Sequence, residues 1–229
     1  MKFDRLINLI GEEKFNILKK KRIIVFGLGG VGSYAAEVIV RSGLDQIDVV
    51  DFDMVEETNL NRQLIALEST VGQYKVNAFK NRALDINPLI NVNTHLIKVN
   101  EENISEIINQ DFDYVIDCID DVDAKVSIAK YCLDNNIKFI SSMGFANKFK
   151  VDLIRIRKMN QTSVCPLAKI MRKKLKVAGY ALDFPVVYSE EKPATVLDKK
   201  TLGSNAYCPS AAGITLAAHV INEIIGENI

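Results

Sequence analysis

A glycine-rich turn near the beginning of the chain restricts the possible folds more than any other feature. Gly27-Leu-Gly-Gly-Val-Gly32 follows the β-branched run at residues 23–26 and leads into a helical pattern at residues 31–42. Glycines at this spacing permit a tight turn and let a phosphate approach the backbone, where the N-terminus of the helix can bind it. A strand, such a turn and a helix in succession indicate a nucleotide-binding fold, in which we expect four glycines to line the nucleotide: Gly27, Gly29, Gly30 and Gly32.

Short apolar runs alternate with helical patterns over the first two thirds of the chain. Strands are predicted at residues 23–26, 47–50, 92–97, 114–116 and 138–140. Helices are predicted at residues 31–42, 71–86, 104–108 and 122–134. This alternation indicates an α/β fold built on a doubly wound, mainly parallel, Rossmann-like sheet.

The pattern changes after Gly144. Residues 150–157 alternate as in an edge or antiparallel strand, and residues 184–188 form a further candidate strand. Residues 166–177 are amphipathic and residues 211–225 form an apolar helical stretch. Because neither a repeat nor a linker interrupts the chain, we predict one domain over residues 1–229. It comprises a nucleotide-binding core (1–145) and a C-terminal elaboration (146–229).

Composition argues against several classes of protein. The 29 Lys and Arg balance the 29 Asp and Glu, and a hydrophobic content of 48% is that of an ordinary globular protein. The four cysteines show no CxxC spacing, so neither a zinc ribbon nor a disulfide framework is indicated. The N-terminal segment is too charged for a signal peptide, and residues 211–225 are too short and polar for a transmembrane helix. We therefore expect a soluble, cytoplasmic protein without a membrane partner.

Polar residues after the second predicted strand bear on which nucleotide is bound. The glycine turn alone is compatible with NAD as well as with ATP, so an oxidoreductase is an alternative to an ATP-dependent enzyme. Asp51 ends the second strand, where a carboxylate binds ribose hydroxyls. Arg62 and Lys75 can neutralise the phosphates of a leaving pyrophosphate, which a dehydrogenase does not need. A carboxylate after the fourth strand, at Asp117 or Asp120, is well placed to hold Mg²⁺ on those phosphates.

These motifs resemble the adenylating domain of the ThiF/MoeB/HesA superfamily, relatives of the ubiquitin-activating enzymes. The matching motifs are Gly27-x-Gly-Gly-x-Gly32, Asp51-x-Asp53, Asn59-x-Asn-Arg-Gln63, Lys75 and Asp117-x-x-Asp120. The resemblance covers residues 1–145. It implies an ATP site in which Asp51 binds ribose, Asn59 lines the nucleotide, Arg62 and Lys75 bind the phosphates, and Asp120 binds Mg²⁺. Asp53 and Gln63 belong to the same nucleotide-binding motifs.

The N-terminal pattern Arg5-x-x-x-Leu9-x-Gly11 is similar to a family segment whose arginine reaches the ATP site of the partner subunit. The resemblance therefore implies a homodimer in which Arg5 takes part in catalysis in trans.

The cysteines do not favour a thioester-forming member of the superfamily. Members that activate ubiquitin-like proteins usually carry two CxxC pairs for zinc, which are absent from this sequence. Cys165 and Cys208 fall in predicted loops without a neighbouring base, and structural roles are expected for them. Cys118, in the fourth predicted strand, and Cys132, on a predicted helix, are expected in the core.

The C-terminal part resembles the tRNA threonylcarbamoyladenosine dehydratases. The matching stretches are Pro166-Leu-Ala-Lys169, Val187-Tyr-Ser-Glu190 and Gly203-Ser204 through Pro209 and Gly213. The implied reaction uses ATP to activate the carboxylate of a threonine attached to a tRNA adenosine through a urea. An atom of the urea then closes a ring with net loss of water, so that no enzyme thiol is needed. Cys165 stands where these proteins typically have Asp, which removes a helix-capping side chain.

An enzyme that adenylates a ubiquitin-like sulfur carrier, in thiamine or molybdopterin synthesis, is the alternative function. Sulfur-transfer or sulfur-carrier proteins are accordingly candidate partners, and a monovalent cation is a candidate cofactor beside ATP and Mg²⁺.

The zero net charge conceals two segments of opposite charge. Residues 101–123 contain nine acids and no base, whereas residues 148–176 contain ten bases and one acid. On the helix predicted from Pro166, four cations recur on one face, and Leu167, Ile170, Met171 and Leu175 are expected to face the protein. We expect this cationic stripe to bind tRNA phosphates, with a merely solvated helix face as the alternative: Lys169, Arg172, Lys173 and Lys176. We expect five further cations to extend the same surface: Lys148, Lys150, Arg155, Arg157 and Lys158.

Overall fold

One seven-stranded sheet, with helices on both faces, organises the chain. The computed structural model describes residues 2–108, 111–195 and 201–227. The strands are β1 (Arg22–Phe26), β2 (Gln46–Val50), β3 (Asn91–His95), β4 (Tyr114–Asp117), β5 (Phe139–Ser142), β6 (Ile154–Lys158) and β7 (Pro185–Ser189). The helices are α1 (Asp4–Ile10), α2 (Glu12–Lys19), α3 (Gly32–Arg41), α4 (Lys75–Ile86), α5 (Ile104–Ile107), α6 (Val122–Asp134), α7 (Pro166–Val177) and α8 (Tyr207–Ile225). The predicted α/β fold is confirmed.

The strand order places the loops that follow β1, β2 and β4 at one edge of the sheet. The order is β3-β2-β1-β4-β5-β7-β6, and all neighbouring strands run parallel except β6, which is antiparallel to β7. The winding of the chain reverses between β1 and β4. In open parallel sheets, ligands bind beyond the carboxyl ends of the strands at such a switch point. The predicted nucleotide residues lie on the loops that meet there.

The C-terminal elaboration continues the same sheet. β7 pairs with β5 and β6 occupies the edge, as the alternating pattern after Gly144 predicted. β6 begins later than predicted because a 3₁₀ turn occupies residues 151–153.

Two apolar cores cover the two faces of the sheet. Side chains of α2, α3, α4 and α8 pack on one face against alternate strand residues such as Val25, Ile47 and Ile116. Side chains of α5, α6 and α7 pack on the other face against Ile24 and Val115. The strands of the centre are buried on both faces, which explains their nearly continuous apolar runs.

Helix α8 lies unusually close to α3. A Cβ atom added at Gly213 would stand 2.2 Å from the main-chain oxygen of Val31, so the contact requires glycine. By length and composition, α8 is apolar enough to cross a membrane. Its Ala212, Leu216 and Val220 are fully buried in the core of this fold, however, and that packing accounts for its hydropathy.

Candidate nucleotide-binding site

A cavity of about 510 Å³ opens where the loops after β1, β2 and β4 meet. Most of the sequence-predicted nucleotide residues line one side of it, which we call the nucleotide wall: Gly27, Gly29, Gly30, Asp51, Asp53, Arg62, Gln63, Lys75 and Asp120. Residues far apart in the sequence are therefore brought together at the switch point of the sheet.

Asp51 fixes the glycine-rich turn. Its Oδ2 accepts a hydrogen bond from the Leu28 N–H at 2.6 Å, and its Oδ1 accepts one from the Asp53 N–H at 2.9 Å. Burial raises the pKa of Asp51, and the positive charge of Lys75 opposes that rise. The carboxylate thus joins the ends of β1 and β2 at the cavity.

Gly32 does not line the cavity but makes the turn possible. A Cβ atom at this position would lie 1.8 Å from the main-chain oxygen of Gly27. Any other residue would push the first turn of α3 away from β1. Gly32 therefore acts by shaping the phosphate-binding turn.

Lys75 is held at the start of α4 with its ammonium in the cavity wall. Its Nζ lies 2.8 Å from Oδ2 of Asp53, and the lysine is 6% exposed. The Asp53 side chain is about half exposed, with 48% of its surface accessible. The contact with Asp53 therefore fixes the Lys75 side chain in the wall of the cavity.

Gln63 places its side-chain oxygen, Oε1, in the buried part of the nucleotide wall. Its Oε1 is buried and has no hydrogen-bond partner among the described residues. Buried polar atoms are nearly always satisfied, and a donor on a bound ligand would satisfy this one. Arg62 beside it donates from Nη1 to the Thr58 carbonyl and to Asn61 Oδ1, at 2.8 and 2.9 Å. The arginine keeps further N–H donors for a phosphate.

Asn59 lies behind the cavity wall rather than in it. Its Oδ1 accepts a hydrogen bond from the Glu56 N–H at 3.1 Å, and its main-chain oxygen accepts from the N–H groups of Arg62 and Gln63. The structure therefore places Asn59 as a support for the loop that carries those two residues.

The two carboxylates at the carboxyl end of β4, Asp117 and Asp120, differ sharply in their exposure to solvent. Asp117 is buried, lies 2.8 Å from Nζ of the equally buried Lys125, and accepts a hydrogen bond from Ser141 Oγ. Asp120 is exposed and lines the cavity. Among the described residues, no cluster of three or more His, Cys, Asp or Glu could hold a metal ion. Mg²⁺ at Asp120 would therefore take most of its oxygen ligands from phosphates and water, as this ion commonly does.

The cavity extends past Phe52 on the side of β3. Lys98 Nζ lies 5.5 Å from the centre of the Phe52 ring, and Ile97 and Val99 also line this region. An apolar, aromatic surface with few polar groups suits a nucleobase. The sequence motifs did not point to these residues, although Phe52 stands between the two aspartates of the Asp51-x-Asp53 motif.

A second part of the cavity lining, which we call the acceptor wall, comes from the C-terminal elaboration and the end of β5. It comprises residues 142–148, 165–167, Pro193, Leu202, Ser204 and Pro209. Lys148 belongs to this wall and is only 2% exposed. The expectation that Lys148 extends an exposed basic surface is therefore wrong, because charge counting along the chain carries no information about burial.

The cysteines are buried or half-buried and their positions partly differ from those expected. Cys208 lies in the first turn of α8 and Cys118 directly follows β4, so neither is where the sequence placed it. Burial raises the pKa of Cys118, Cys132 and Cys208, which keeps these thiols protonated and weakly nucleophilic. Cys165 precedes α7 and its side chain caps no N–H group, as its departure from Asp implied.

Helix α7 presents a cationic face to solvent. Lys169, Lys173 and Lys176 are exposed, whereas Arg172 is half-buried and donates from Nη1 to Thr162 Oγ1. Met171 and Leu175 face the core as predicted, but Ile170 is 46% exposed and that prediction is wrong. Ala168 takes the inward position instead, because it lies one turn before Met171 and Leu175.

Arg5 lies on α1, exposed, and does not line the cavity of its own chain. Its approach to an ATP site in a second subunit stays a prediction.

Comparison with known proteins decides the family. The model of the ThiF family matches residues 3–228. The chain belongs to the ThiF family. A tRNA threonylcarbamoyladenosine dehydratase of Bacillus subtilis (strain 168) is 38% identical over 241 residues, covering 98% of this chain and 95% of that protein. The resemblance drawn from the motifs is thereby confirmed.

Two further ThiF-family comparisons bear on function. The E. coli tRNA N6-threonylcarbamoyladenosine dehydratase solved with AMP has a TM-score of 0.94 and 28% identity over 99% of this chain and 94% of its own. The same protein has also been solved with ATP, at a TM-score of 0.93. A molybdopterin-synthase adenylyltransferase of Haemophilus influenzae is 30% identical over 73% of this chain and 67% of that protein.

Proposed function

We propose that this ThiF-family chain is an ATP-dependent enzyme that cyclises N6-threonylcarbamoyladenosine in tRNA with net loss of water. The observation that carries the proposal is a single cavity that joins a nucleotide wall to a separate acceptor wall. The near full-length similarity to a dehydratase supports the assignment of the substrate.

The nucleotide wall would bind ATP, and the acceptor wall would bind the threonyl group of the substrate. A carboxylate oxygen of the substrate threonine attacks the α-phosphorus of ATP, and the bond to pyrophosphate breaks. Arg62 and Lys75 would stabilise the charge on the leaving pyrophosphate. A urea atom of the same substrate then attacks the activated carbonyl carbon, AMP leaves, and the urea N–H proton is lost. Because the urea and the activated carboxylate belong to the same substrate molecule, the closure is intramolecular and therefore fast.

We propose Mg²⁺ as a cofactor, with Asp120 as its protein ligand. The ion would neutralise charge on the phosphates when it is bound. We also propose a cytoplasmic homodimer in which Arg5 reaches the partner's cavity. A monovalent cation near the loops after Gly144 stays a proposal with no supporting geometry.

A mass measurement tests the function. The purified protein is incubated with ATP, Mg²⁺ and threonylcarbamoylated tRNA, and the nucleosides are analysed by mass spectrometry. We expect the modified adenosine to lose the mass of one water molecule, with AMP and pyrophosphate released. An unchanged nucleoside under these conditions would refute the proposal, and release of ADP and phosphate would indicate carboxylate phosphorylation instead of adenylation.

Adenylation of a ubiquitin-like sulfur carrier is the second candidate, favoured by the similarity to a molybdopterin-synthase adenylyltransferase. It predicts pyrophosphate exchange that depends on a small protein ending in Gly-Gly. The sequence contains no CxxC pair for the zinc that such enzymes usually carry, which places this function second. The two assays distinguish the candidates in the same protein preparation.

A further inference from the structure

Lys148 is a cation in the acceptor wall, the part of the cavity lining that comes from the C-terminal elaboration and the end of β5. It lines the cavity and is 2% exposed. Its ammonium donates one hydrogen bond, to the main-chain oxygen of Glu191. An ammonium has three N–H donors, so Lys148 retains donors that no described protein atom accepts.

No described carboxylate forms an ion pair with Lys148. Glu191, whose main-chain oxygen contacts Lys148, uses its carboxylate to accept from the N–H groups of Phe149 and Lys150, at 3.0 and 2.8 Å. Burial lowers the pKa of Lys148, and the negative charge of Glu191 acts against this shift. A buried cation without a paired anion destabilises a fold. A ligand anion would remove that cost.

The backbone around Lys148 holds the ammonium in a fixed place. Asn147 adopts a left-handed conformation with φ of 59°. Its N–H donates to the Gly203 oxygen, its Oδ1 accepts from the Gly203 N–H, and its oxygen accepts from the Ala194 N–H. The Lys148 oxygen accepts from Asn205 Nδ2 at 2.6 Å. Two separate chain segments thus clamp this dipeptide, as suits a positioned ligand contact.

We propose that Lys148 binds the carboxylate of the substrate threonine and orients it toward the α-phosphorus of ATP. The inference rests on the proposed function. Lys75 and Arg62 lie on the nucleotide wall, where the triphosphate occupies them, and a second anion approaching that triphosphate would be repelled. Lys148, on the acceptor wall, supplies a positive charge that attracts the substrate carboxylate. The apolar Phe145, Leu167 and Leu202, which line the same cavity, suit the uncharged remainder of the threonyl group.

The experiment removes the charge from the enzyme and from the substrate in turn. One tRNA carries the natural threonylcarbamoyl group, and a second carries the same group with its carboxylate replaced by a carboxamide. Binding of each is measured in the presence of a non-hydrolysable ATP analogue. We expect the wild-type protein to prefer the carboxylate tRNA by about tenfold or more, the range for a charge-assisted hydrogen bond. Lys148→Met should bind both tRNAs equally.

Matched variants separate this role from a structural one. Lys150→Met removes an exposed cation from the same loop, outside the cavity, and should keep the wild-type preference between the two tRNAs. Lys148→Gln keeps a donor toward Glu191 but loses the charge, and should show a reduced preference with unchanged affinity for the ATP analogue. A full wild-type preference in Lys148→Met or Lys148→Gln would overturn the proposal.

The proposed function is checked separately on the wild-type protein. If the natural tRNA is not dehydrated at all, the function itself fails. If it is dehydrated and the Lys148 variants still discriminate between the two tRNAs, only the role of Lys148 fails.

Discussion

At the scale of single residues, Asp51 links the fold to the binding of the nucleotide. Its two oxygens hold the N–H groups of Leu28 and Asp53, so the same carboxylate shapes the turn and presents a charged acceptor to the cavity. An amide at this position would direct N–H donors at one of those N–H groups. The turn would then open even though the side chain keeps its size.

We expect Asp51→Asn to lower the affinity for ATP by about tenfold or more, since a hydrogen bond to a charged group is worth ~1.5–3 kcal/mol. Isothermal titration with a non-hydrolysable ATP analogue measures this. Asp85→Asn, an exposed aspartate on α4, is the control and should bind the analogue like the wild-type protein. Equal affinities for Asp51→Asn and the control would contradict the role of Asp51.

A second residue, Asp48 on β2, makes stability depend on pH. It is 1% exposed, and its carboxylate contacts His95 at 3.1 Å, Asn93 at 3.2 Å and Arg22 at 3.3 Å. Burial acts to raise the pKa of Asp48, but these hydrogen bonds and the charge of Arg22 outweigh it and hold the pKa below the ordinary 3.8. The ionised carboxylate therefore stabilises the fold above that pH, and this contribution is lost as the pH falls through the lowered pKa.

We expect Asp48→Asn to reduce the free energy of unfolding at pH 7 by about 2 kcal/mol, because the charged acceptor of several donors is removed. The difference from wild type should shrink as the pH falls below about 4. Urea denaturation at a series of pH values measures it. The exposed Asp45, which lies 3.6 Å from Lys19, provides the control Asp45→Asn, and its effect should be small at every pH. A difference that grows on acidification would contradict the lowered pKa.

The residues of the nucleotide wall could be predicted because they follow strand ends in short, fixed motifs. Gly27 and Asp51 directly follow β1 and β2, and Lys75 begins α4, so all three line the cavity at the carboxyl ends of the strands. The positions of Asn59 and Lys148 could not be predicted in the same way. Both are buried by segments distant in sequence, and only the packed structure shows that one supports a loop and the other lines the acceptor wall.

At the scale of elements, α7 packs one face against the core and presents its other face to solvent. Ala168, Met171 and Leu175 fix it on the sheet, and its cations remain on the solvent side. The periodicity predicted this division well, apart from Ile170, whose side chain lies at the margin of the apolar stripe. Within the stripe, Arg172 donates a hydrogen bond to Thr162, and Lys174, on the same helix but outside the stripe, pairs with Asp123.

We expect the double change Lys169→Glu and Lys173→Glu to weaken tRNA binding about tenfold or more while leaving ATP binding intact. Each lost phosphate contact should also reduce the slope of log affinity against log salt by ~1. Filter binding over a range of salt concentrations measures both quantities. The control is Lys20→Glu with Lys80→Glu, which changes the net charge equally at exposed sites away from α7. Equal losses in the two double variants would mean that α7 is only a solvated helix face.

At the scale of the whole molecule, the separation of acidic and basic segments explains how a protein of zero net charge could bind a polyanion such as tRNA. The acidic stretch at 101–123 includes Asp120 at the cavity and buried Asp117, whereas the basic α7 lies in the C-terminal elaboration. The loop that carries Lys148 connects the two regions, since it lines the cavity and leads into β6. Because Pro166 and Leu167 at the start of α7 line the cavity, the cavity and the basic helix adjoin, as the proposed binding of ATP and tRNA requires.

The proposed homodimer makes the complete site a property of two chains. Arg5 is exposed on α1 and outside its own cavity, so its proposed role requires a partner's cavity. We expect Arg5→Ala and Lys75→Met to be strongly impaired alone, each by ~100-fold or more as for other transition-state contacts. When the two proteins are mixed, unfolded and refolded together, each mixed dimer should contain one site with both residues intact and one with neither.

An equal mixture should then recover about a quarter of wild-type dehydratase activity, because half of the dimers are mixed and each has one intact site of two. If Arg5 acted within its own chain, both sites of a mixed dimer would be defective and no activity would return. Refolded wild-type protein supplies the reference activity, and sedimentation of each preparation establishes that dimers have re-formed. Recovery of activity would thus assign Arg5 to the partner's site, whereas its absence in re-formed dimers would confine Arg5 to a structural role or to its own chain.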